Sequence, residues 1–439
     1  MGSYIQKAVF CFSLVTFFLP LEASSGTLRP RVGSKSKQDH LAALRSHADN
    51  QNWSAVNTEI MQGFKKGRLT LNDLNAIAES TPESLLARAI QGTKKILSFK
   101  EKTGLDFKTL FPIALYAESV LANPKSGKQV VSAKKGGREL QYDPKTHSFF
   151  IHLGTNGVKP LGVGRKKVVT RTIKYDNEHP EMMARGVTTC NMKKEMAAMK
   201  ALRGLPGLLN AESLMVHKEP KSKDKTYTFI TKIFNAGSLQ DVFDTKSIKL
   251  SLKEKLQVAT DIISGIASMH SSGYVHRDLG ARNYFVEIHG KGKGRKVHAV
   301  VADMGRTIPA STCDGDAIQG NSSYISPEGF FRNKMKGSAY YQSDLFAVGC
   351  VMWQLLHDAP PAWRGVRSYK DEKLSLKDRY KQHLALIEKS RSKMKTRSGK
   401  NSVKGRFASL ALKMTDPNPA KRGTAVQLQR EFEALLKAV

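Results

Sequence analysis

Cysteine is scarce in this sequence, with four residues among 439. Cys11 lies in an apolar stretch near the N-terminus, and the remaining three, Cys190, Cys313 and Cys350, are odd in number and far apart. Neither a disulfide framework nor a metal site of closely spaced thiolates fits such a pattern. The core must therefore be held by packing and hydrogen bonds, which 40% hydrophobic residues in a chain of this length can supply.

Acidic residues are also few, since 38 Asp and Glu stand against 71 Lys and Arg, giving a formal net charge of +33. Such a charge predicts anionic partners, among them acidic proteins, phosphate-rich ligands and anionic membrane surfaces. The basic stretch at residues 376–406 combines an amphipathic helix with a polybasic tail. We expect a solvated basic face there, and binding to acidic lipid or to an acidic substrate stays open. Nucleic acid is not favoured, because interleaved aromatic residues are missing.

No apolar run reaches the roughly 18 to 20 residues that a membrane-spanning helix needs. The run from Ala8 to Leu21 follows Lys7 and precedes small residues, which is the pattern of a secretion signal. We therefore expect residues 1–25 to be a secretion signal and the protein to be secreted. An exported chain without a disulfide framework suits a reducing compartment, such as the cytosol of a host cell, where it would act as a bacterial effector.

Helical periodicity follows the signal and continues to about Pro124. Thr70 and Thr81 are predicted N-cap residues, each ahead of apolar residues at helical spacing. We predict helices near residues 38–49, 52–64, 71–79, 82–98 and 106–122. No catalytic constellation is visible in this part, so residues 26–133 are predicted to be an all-α accessory domain.

The pattern changes to short strands from about Lys134. Residues 148–153, 166–175, 181–189 and 227–234 alternate or run apolar in the manner of strands, and residues 190–202 are predicted to be a helix. The insert "HGKGKGRKVH" at residues 289–298 is typical of an exposed β-turn. A long amphipathic helix at residues 251–270 leads into the stretch "YVHRDLGARNYFV". The layout is a small sheet lobe followed by a mostly helical lobe.

The segment "HRDLGARN", residues 276–283, gathers charged and amide side chains that burial would make costly without partners. It resembles the catalytic loop H-R-D-L-x-x-x-N of eukaryotic-type protein kinases. Other stretches resemble further motifs of that family in the right order: "ADMGRT" at residues 302–307, "SPE" at 326–328, "SDLFAVGCVMWQLL" at 343–356 and "DPNPAKRGTA" at 416–425. In the last of these, Arg422 stands where the family has an arginine that pairs with the position of Glu328.

The resemblance implies an α+β bilobal kinase fold, with an N-lobe at residues 134–235 and a C-lobe at residues 236–439. Asp278 would accept the proton of a protein hydroxyl, and Asn283 and Asp303 would hold Mg²⁺ on the ATP phosphates. Arg277 would contact the activation segment. His276 is predicted to be a packed structural residue.

The stretch "FITKIFNAGSLQDVF", residues 229–243, is similar to the family's hinge. The similarity implies that Thr231 is the gatekeeper beside the nucleotide and that Phe234 belongs to the hinge. Both are therefore candidate ATP contacts.

The phosphate-binding loop departs from the family pattern. The stretch "GVGRKKVV" keeps Gly162, Gly164 and a valine, but Lys167 replaces the third glycine. The strand lysine of V-A-I-K is missing, since Arg185 stands near its expected position. The with-no-lysine kinases are similar, because in them a loop lysine reaches the phosphates. That likeness favours Lys167, paired with Glu195.

Three rivals for the phosphate lysine stay open. Arg185 stands near the expected strand position, but its guanidinium is a planar fork rather than a point charge. Lys174 follows Val169 too closely for an intervening hairpin. Lys166 is the neighbour of Lys167 in the loop.

Two markers of substrate class disagree. The ending A-R-N of the catalytic loop is typical of tyrosine kinases, and Gly280 replaces the lysine that Ser/Thr kinases carry. The stretch "GNSSYISPE" is instead similar to the Ser/Thr form. We predict a Ser/Thr kinase, with tyrosine left open, and Ser322, Ser323 and Thr307 as candidate phosphorylation sites or plain loop residues. A pseudokinase scaffold and a small-molecule kinase of the aminoglycoside type are two further functions that the sequence leaves open.

Overall fold

The chain divides into two compact units, residues 1–74 and residues 75–439. The predicted secretion signal, Thr81, Gly164, Lys166, Ser322 and Ser323 lie outside the described residues. The computed structural model describes residues 36–50, 53–80, 85–97, 107–122, 131–135, 138–152, 160–163, 167–175, 180–190, 192–218, 225–245, 247–313, 324–330, 335, 337–359, 374–393 and 401–439.

The first unit is helical. Helix α1 spans Lys37–Asp49, α2 spans Trp53–Lys65, and α3, Leu71–Ser80, begins within it. Thr70 is the predicted N-cap of α3 and is confirmed, because its hydroxyl accepts from the Asp73 amide at 3.3 Å while the Asp73 carboxylate accepts from the Thr70 amide at 2.8 Å. Lys37 Nζ lies 2.5 Å from the same carboxylate. These two partners lower the pKa of Asp73 to about 2.

The second unit opens with α4, Leu85–Leu97, and α5, Phe107–Ala122. All five helices predicted for the N-terminal third are therefore confirmed. Leu110 and Ile113 of α5 pack with Leu140, Tyr142 and other apolar residues of the sheet in one buried cluster. Helix α5 thus covers part of one sheet face and belongs to the same compact unit as the sheet.

Eight strands of the described chain form one antiparallel sheet. The bounds are β1 Val131–Lys135, β2 Arg138–Asp143, β3 Ser148–His152, β4 Gly162–Val163, β5 Val168–Tyr175, β6 Glu181–Thr188, β7 Ala211–Lys218 and β8 Lys225–Lys232. Their order in the sheet is β1-β2-β3-β5-β6-β8-β7, and the short β4 pairs with the first residues of β5. The four predicted strands are present, whereas β1, β2, β4 and β7 were not predicted.

The rest of the unit is mostly helical. The helices are α6 Lys193–Ala201, which packs beside the sheet, and α7 Leu239–Asp244, α8 Leu252–Ser271, α9 Ser338–His357, α10 Leu376–Lys393, α11 Val403–Met414 and α12 Ala425–Lys437. Helix α9 is the centre of the helical core, because most of its twenty residues are buried among apolar side chains of the other helices. A sheet with one helix followed by a helical lobe confirms the predicted α+β bilobal fold.

Short strands complete the helical lobe. Strands β10, Tyr284–His289, and β11, Lys296–Val301, form the hairpin predicted for the Gly/Lys insert. Strand β9, Tyr274–Val275, pairs with β12, Ile308–Pro309. Together they place the loop after β9 and the segment after β11 side by side. Of the helices in the described ranges, none has the length and apolar content to cross a bilayer.

Candidate active site

The loop at residues 276–283 connects β9 to β10. His276 is fully buried, and its Nε2 lies 2.9 Å from the Ala302 carbonyl oxygen. The ring therefore packs between the loop and the end of β11. His276 is therefore a packed structural residue, as the sequence predicted.

Asp344 of α9 fixes the backbone of the same loop. Its carboxylate accepts from the amides of His276 at 2.8 Å and Arg277 at 2.9 Å, and lies 3.1 Å from His270 Nε2. Burial raises the pKa of Asp344, but the His270 ring and these donors outweigh burial, so its pKa lies below the ordinary value. Arg277 takes a left-handed backbone, with φ of 69°. A buried carboxylate thus holds a strained turn in place.

Asn283 closes the loop. Its Nδ2 donates to the Asp278 carbonyl oxygen at 2.5 Å, and its own carbonyl accepts from the Ala302 amide at 2.8 Å. Because the amide nitrogen is committed, the side-chain oxygen is the atom that can bind a cation. The Asp278 carboxylate has a positively charged neighbour, since Arg306 Nε lies 3.2 Å from its Oδ2.

Asp303 follows Ala302 and also has a left-handed backbone, with φ of 60° and ψ of 71°. For a residue other than glycine this conformation costs about 1–2 kcal/mol. The Gly305 amide donates to its carboxylate at 3.3 Å and supports the turn. Partial burial raises the pKa of Asp303, but the ammonium of Lys167 and the Gly305 amide outweigh burial, so its pKa lies below the ordinary value. The carboxylate therefore stays ionised.

Lys167 lies between two carboxylates. Its Nζ is 2.5 Å from Glu195 Oε1, on helix α6, and 3.4 Å from Asp303 Oδ1. Burial lowers the pKa of this ammonium, yet the two carboxylates raise it more, so the pKa lies above the ordinary value. The lysine that replaces the third loop glycine thus stands as a permanent cation beside Glu195 and Asp303.

The sheet register explains why this cation does not come from β6. Gly186 lies opposite Phe229 of β8, and cross-strand partners share a face. A Cβ on Gly186 would stand 1.9 Å from the Phe229 ring, so the ring fills the space where a side chain would begin. Lys167 Nζ lies 5.3 Å from the centroid of the same ring. Lys167 therefore occupies the region into which a residue at position 186 would point.

Arg185 and Lys174 lie elsewhere. Arg185 is one residue from Gly186 and so points to the other face of the sheet, where its Nη2 donates to Glu139 Oε2 at 2.9 Å. Lys174 Nζ donates to Glu212 Oε2 at 3.2 Å. The structure brings neither of them to the two carboxylates. Arg185, predicted near the position of the V-A-I-K lysine, is therefore paired with Glu139 and not with Glu195 or Asp303.

The hinge candidates lie on and after β8. Thr231 is buried opposite Ala184 of β6. Phe234 stacks on Phe285 of β10, with ring centroids 5.7 Å apart. The segment after β8 is therefore tied to the strand that follows the catalytic loop. Gly162 lies in β4, paired with Val169.

A divalent cation on a nucleotide fits the donors present. The carboxylate of Asp303 and the side-chain oxygen of Asn283 are hard oxygen ligands of the type that Mg²⁺ prefers. Within the described ranges, no three His, Cys, Asp or Glu side chains gather into a group that could hold a metal ion. Phosphate oxygens would complete the coordination of a cation at Asn283 and Asp303.

Predictions for two motif residues in the helical lobe, Arg422 and Thr307, have different outcomes. Arg422 is fully buried, with both terminal nitrogens on the Glu328 carboxylate, one of them at 2.9 Å, which confirms the predicted pair. Thr307 is buried, and its hydroxyl donates to Met304 Sδ at 3.4 Å. In this conformation Thr307 is not accessible to a kinase, so the structure does not support it as a phosphorylation site.

Comparison with known proteins decides the family. A family model of the protein kinase domain matches residues 158–432, more than half of the chain. The chain belongs to the protein kinase family. The kinase domain so defined contains Lys167, Glu195, the catalytic loop and Asp303.

Several curated kinases are similar to parts of this kinase domain. A probable LIM domain-containing serine/threonine-protein kinase of Dictyostelium discoideum is 29% identical over 142 residues, which is 32% of the chain and 20% of that protein. A dual serine/threonine and tyrosine protein kinase of Tetraodon nigroviridis is 30% identical over 116 residues, 26% of the chain and 11% of that protein. A probable leucine-rich repeat receptor-like protein kinase of Arabidopsis thaliana is 26% identical over 211 residues, 46% of the chain and 21% of that protein. The chain thus spans about a fifth or less of these relatives.

Sequence reasoning missed three residues of the kinase domain's site. Asp344 had a visible signal, because a carboxylate inside an apolar helix needs partners. Gly186 required the register of β6 and β8, which no sequence pattern supplies. Arg306 stands in "ADMGRT", beside residues that the motif does assign, and only its distance to Asp278 reveals it.

Proposed function

We propose that the protein is an ATP-dependent protein kinase that transfers the γ-phosphate to protein hydroxyls, with serine and threonine favoured. The single observation that carries the proposal is the position of Lys167 between Glu195 and Asp303. A cation at that place can bind ATP phosphates, while Asp303 and Asn283 would hold a divalent cation. The intact set Asp278, Asn283 and Asp303 supports activity over a pseudokinase scaffold.

In the proposed reaction the substrate hydroxyl oxygen bonds to the γ-phosphorus of ATP while the bond from that phosphorus to the β,γ-bridging oxygen breaks, so that ADP leaves. Asp278 orients the hydroxyl and accepts its proton. Mg²⁺, held by Asn283 and Asp303, would neutralise charge on the phosphates. Lys167, as a point charge, needs no bidentate match to hold phosphate oxygens.

Several features support the preference for serine and threonine. The stretch "GNSSYISPE" is similar to the Ser/Thr form. One of the similar proteins is named a serine/threonine-protein kinase and another a dual serine/threonine and tyrosine protein kinase. The protein substrate would be acidic, in keeping with the net charge of +33, and an anionic membrane surface is a further partner that this charge suits.

The test is transfer from radiolabelled ATP with Mg²⁺ by the full chain, beside the Asp278→Ala and Lys167→Met proteins, followed by phosphoamino-acid analysis. We expect label on serine or threonine, and a loss of about 100-fold or more in both variants, since Asp278 acts on the attacking hydroxyl and Lys167 on the phosphates. Lys437→Met, an exposed lysine in the last turn of α12, is the matched control. Label no greater than that of Asp278→Ala would favour the pseudokinase scaffold.

We further propose that the protein is secreted and acts in the cytosol of a host cell as a bacterial effector. The apolar run at residues 8–21 and the absence of a disulfide framework in the sequence support this proposal. Expression with a C-terminal tag, followed by fractionation and N-terminal sequencing, tests it. Retention of the whole tagged chain inside the producing cell would argue against export.

A further inference from the structure

Arg306 lies at the reacting end of the site without a role in the proposed function. It ends the 3₁₀ turn Met304–Arg306, and its Nε stands 3.2 Å from Asp278 Oδ2. Both side chains are partly exposed, at 39% for Arg306 and 28% for Asp278. The contact therefore stands at the solvent-accessible mouth of the site, where a substrate hydroxyl would approach.

The catalytic loop itself offers no cation two residues after Asp278. Gly280 has extended backbone, with φ of −177°, so its backbone does not require glycine. Glycine is needed at position 280 for lack of space, because a Cβ there would lie 2.9 Å from the ring of Tyr324. Tyr324 is buried and has little room to move. A side chain from position 280 is therefore excluded by the packing of this chain.

The turn that carries Arg306 is fixed at both ends. Met304 and Thr307 are buried, and the Thr307 amide donates to the Met304 carbonyl at 3.0 Å. Asp303, at the start of the turn, is bound by the Gly305 amide. Because these anchors set the backbone, the direction of Arg306 is set by the same turn that presents Asp303.

Two cations thus lie beside the three acids Glu195, Asp303 and Asp278. Lys167 serves Glu195 and Asp303, and Arg306 serves Asp278. A guanidinium is charged at every working pH, and its planar fork holds a carboxylate in a defined orientation.

We propose that Arg306 is a positioning residue for Asp278, supplying a positive charge beside the Asp278 carboxylate from the turn that follows Asp303. The inference rests on the proposed function, since it needs Asp278 to act on the substrate hydroxyl. Arg306 acts on the chemical step and not on nucleotide binding, because Lys167 would hold the phosphates, and Asp303 with Asn283 would hold the divalent cation on them.

The test compares the full-length wild-type protein with Arg306→Gln, Arg306→Lys and Asp278→Ala, with Arg430→Gln as a matched loss of charge at an exposed site on α12. Initial rates of transfer from ATP to casein and to myelin basic protein give kcat and the KM for ATP. We expect Arg306→Gln to lower kcat by about 10-fold or more with the KM for ATP within about twofold. Arg306→Lys recovers part of the loss, and Arg430→Gln behaves as wild type.

Three outcomes would overturn the inference: an unchanged kcat in Arg306→Gln, a raised kcat, which would mean that the pair restrains Asp278, or a raised KM for ATP with kcat unchanged. Thermal unfolding with and without ATP verifies that each variant folds, and Arg306→Met, which keeps the apolar stem, replaces Arg306→Gln if that protein is unfolded. A wild-type protein no more active than Asp278→Ala would instead overturn the proposed function, so the two failures are distinct.

Discussion

At the scale of single residues, the cation beside Glu195 and Asp303 comes from Lys167, just before β5, and not from the neighbouring strand β6. Position 186 has no side chain, Phe229 fills the space that it leaves, and the ammonium of Lys167 enters from the start of β5. A lysine side chain at position 186 would fit only if the Phe229 ring moved. The glycine, the ring and the lysine are therefore one packing unit.

Substitution of Gly186 by alanine tests that unit. Because its Cβ would stand 1.9 Å from the Phe229 ring, we expect Gly186→Ala to lower the free energy of unfolding by about 1–3 kcal/mol. Urea unfolding measures the loss. Gly162→Ala is the control, since a Cβ there meets nothing within 4 Å.

A double-mutant cycle identifies the cause. Phe229→Leu shortens the ring, so the pair Gly186→Ala with Phe229→Leu is expected to lose less than the sum of the single losses. Additive losses, or a Gly186→Ala protein as stable as wild type, would contradict the proposed packing.

At the scale of elements, the N-terminus of α8 is bound to the β10–β11 hairpin. Ser251 and Glu254 form a capping box, and Arg295 of the hairpin reaches Glu254 with Nε at 2.5 Å and Nη2 at 2.6 Å. The hydrogen bonds from Arg295, with help from Ser251, lower the pKa of Glu254 to about 2. An insert that is exposed at its tip is thus anchored at its base.

Glu254→Gln isolates the contribution of the arginine. Glutamine at this position can still accept from the Ser251 amide, so the cap is kept while the charged pair is lost. We expect a loss of about 1 kcal/mol in the free energy of unfolding at pH 7. The matched control is Lys253→Gln, an exposed neighbour in the same turn.

The contribution of Glu254 to the stability of the protein depends on pH and decreases as the pH falls. A carboxylate whose pKa is lowered by folding stabilises the native state above its unfolded pKa, here about 4.5, and loses this contribution as the pH falls towards 2. The difference in melting temperature between wild type and Glu254→Gln should therefore shrink between pH 5 and pH 2.5. A difference that stays constant over this range would show that the pair does not act through the charge of Glu254.

Helical elements were predictable because their apolar spacing and cap residues are local signals, as Thr70 illustrates. Strands β1 and β2 were not, since their place at the edge of the sheet depends on the pairing of β2 with β3 and of β1 with β2. The motif residues of the site were found, but the sheet face on which Arg185 lies needed the register. Register comes from contacts between distant strands, which the local pattern of β6 does not contain.

At the scale of the whole molecule, the net charge of +33 sets the conditions under which partners meet it. Charge of one sign attracts oppositely charged partners over a Debye length, roughly 10 Å at 0.1 M salt. We expect peptide substrates with acidic flanks to have a lower KM than the same peptides with basic flanks. The ratio of the KM for basic-flanked peptides to the KM for acidic-flanked peptides should decrease as the salt concentration rises from 20 mM to 300 mM, while kcat changes little.

Matched peptides that differ only in flanking Asp or Lys residues, assayed at both salt concentrations, measure this effect. Equal KM values at low salt would mean that the basic residues lie away from the path of the substrate. A preference that salt does not weaken would point to a local contact instead of the overall field.

Drug selectivity follows from the ring beneath the site. An ATP-competitive inhibitor that fits a kinase with an ammonium on β6 meets the Phe229 ring and Gly186 here, with the ammonium arriving from β5. Compounds that need an ammonium to approach from β6 should bind this protein poorly, because the Phe229 ring fills the space beside position 186. Compounds that place an aromatic edge on Phe229 and an anionic group beside Lys167 would distinguish it from kinases of the common type.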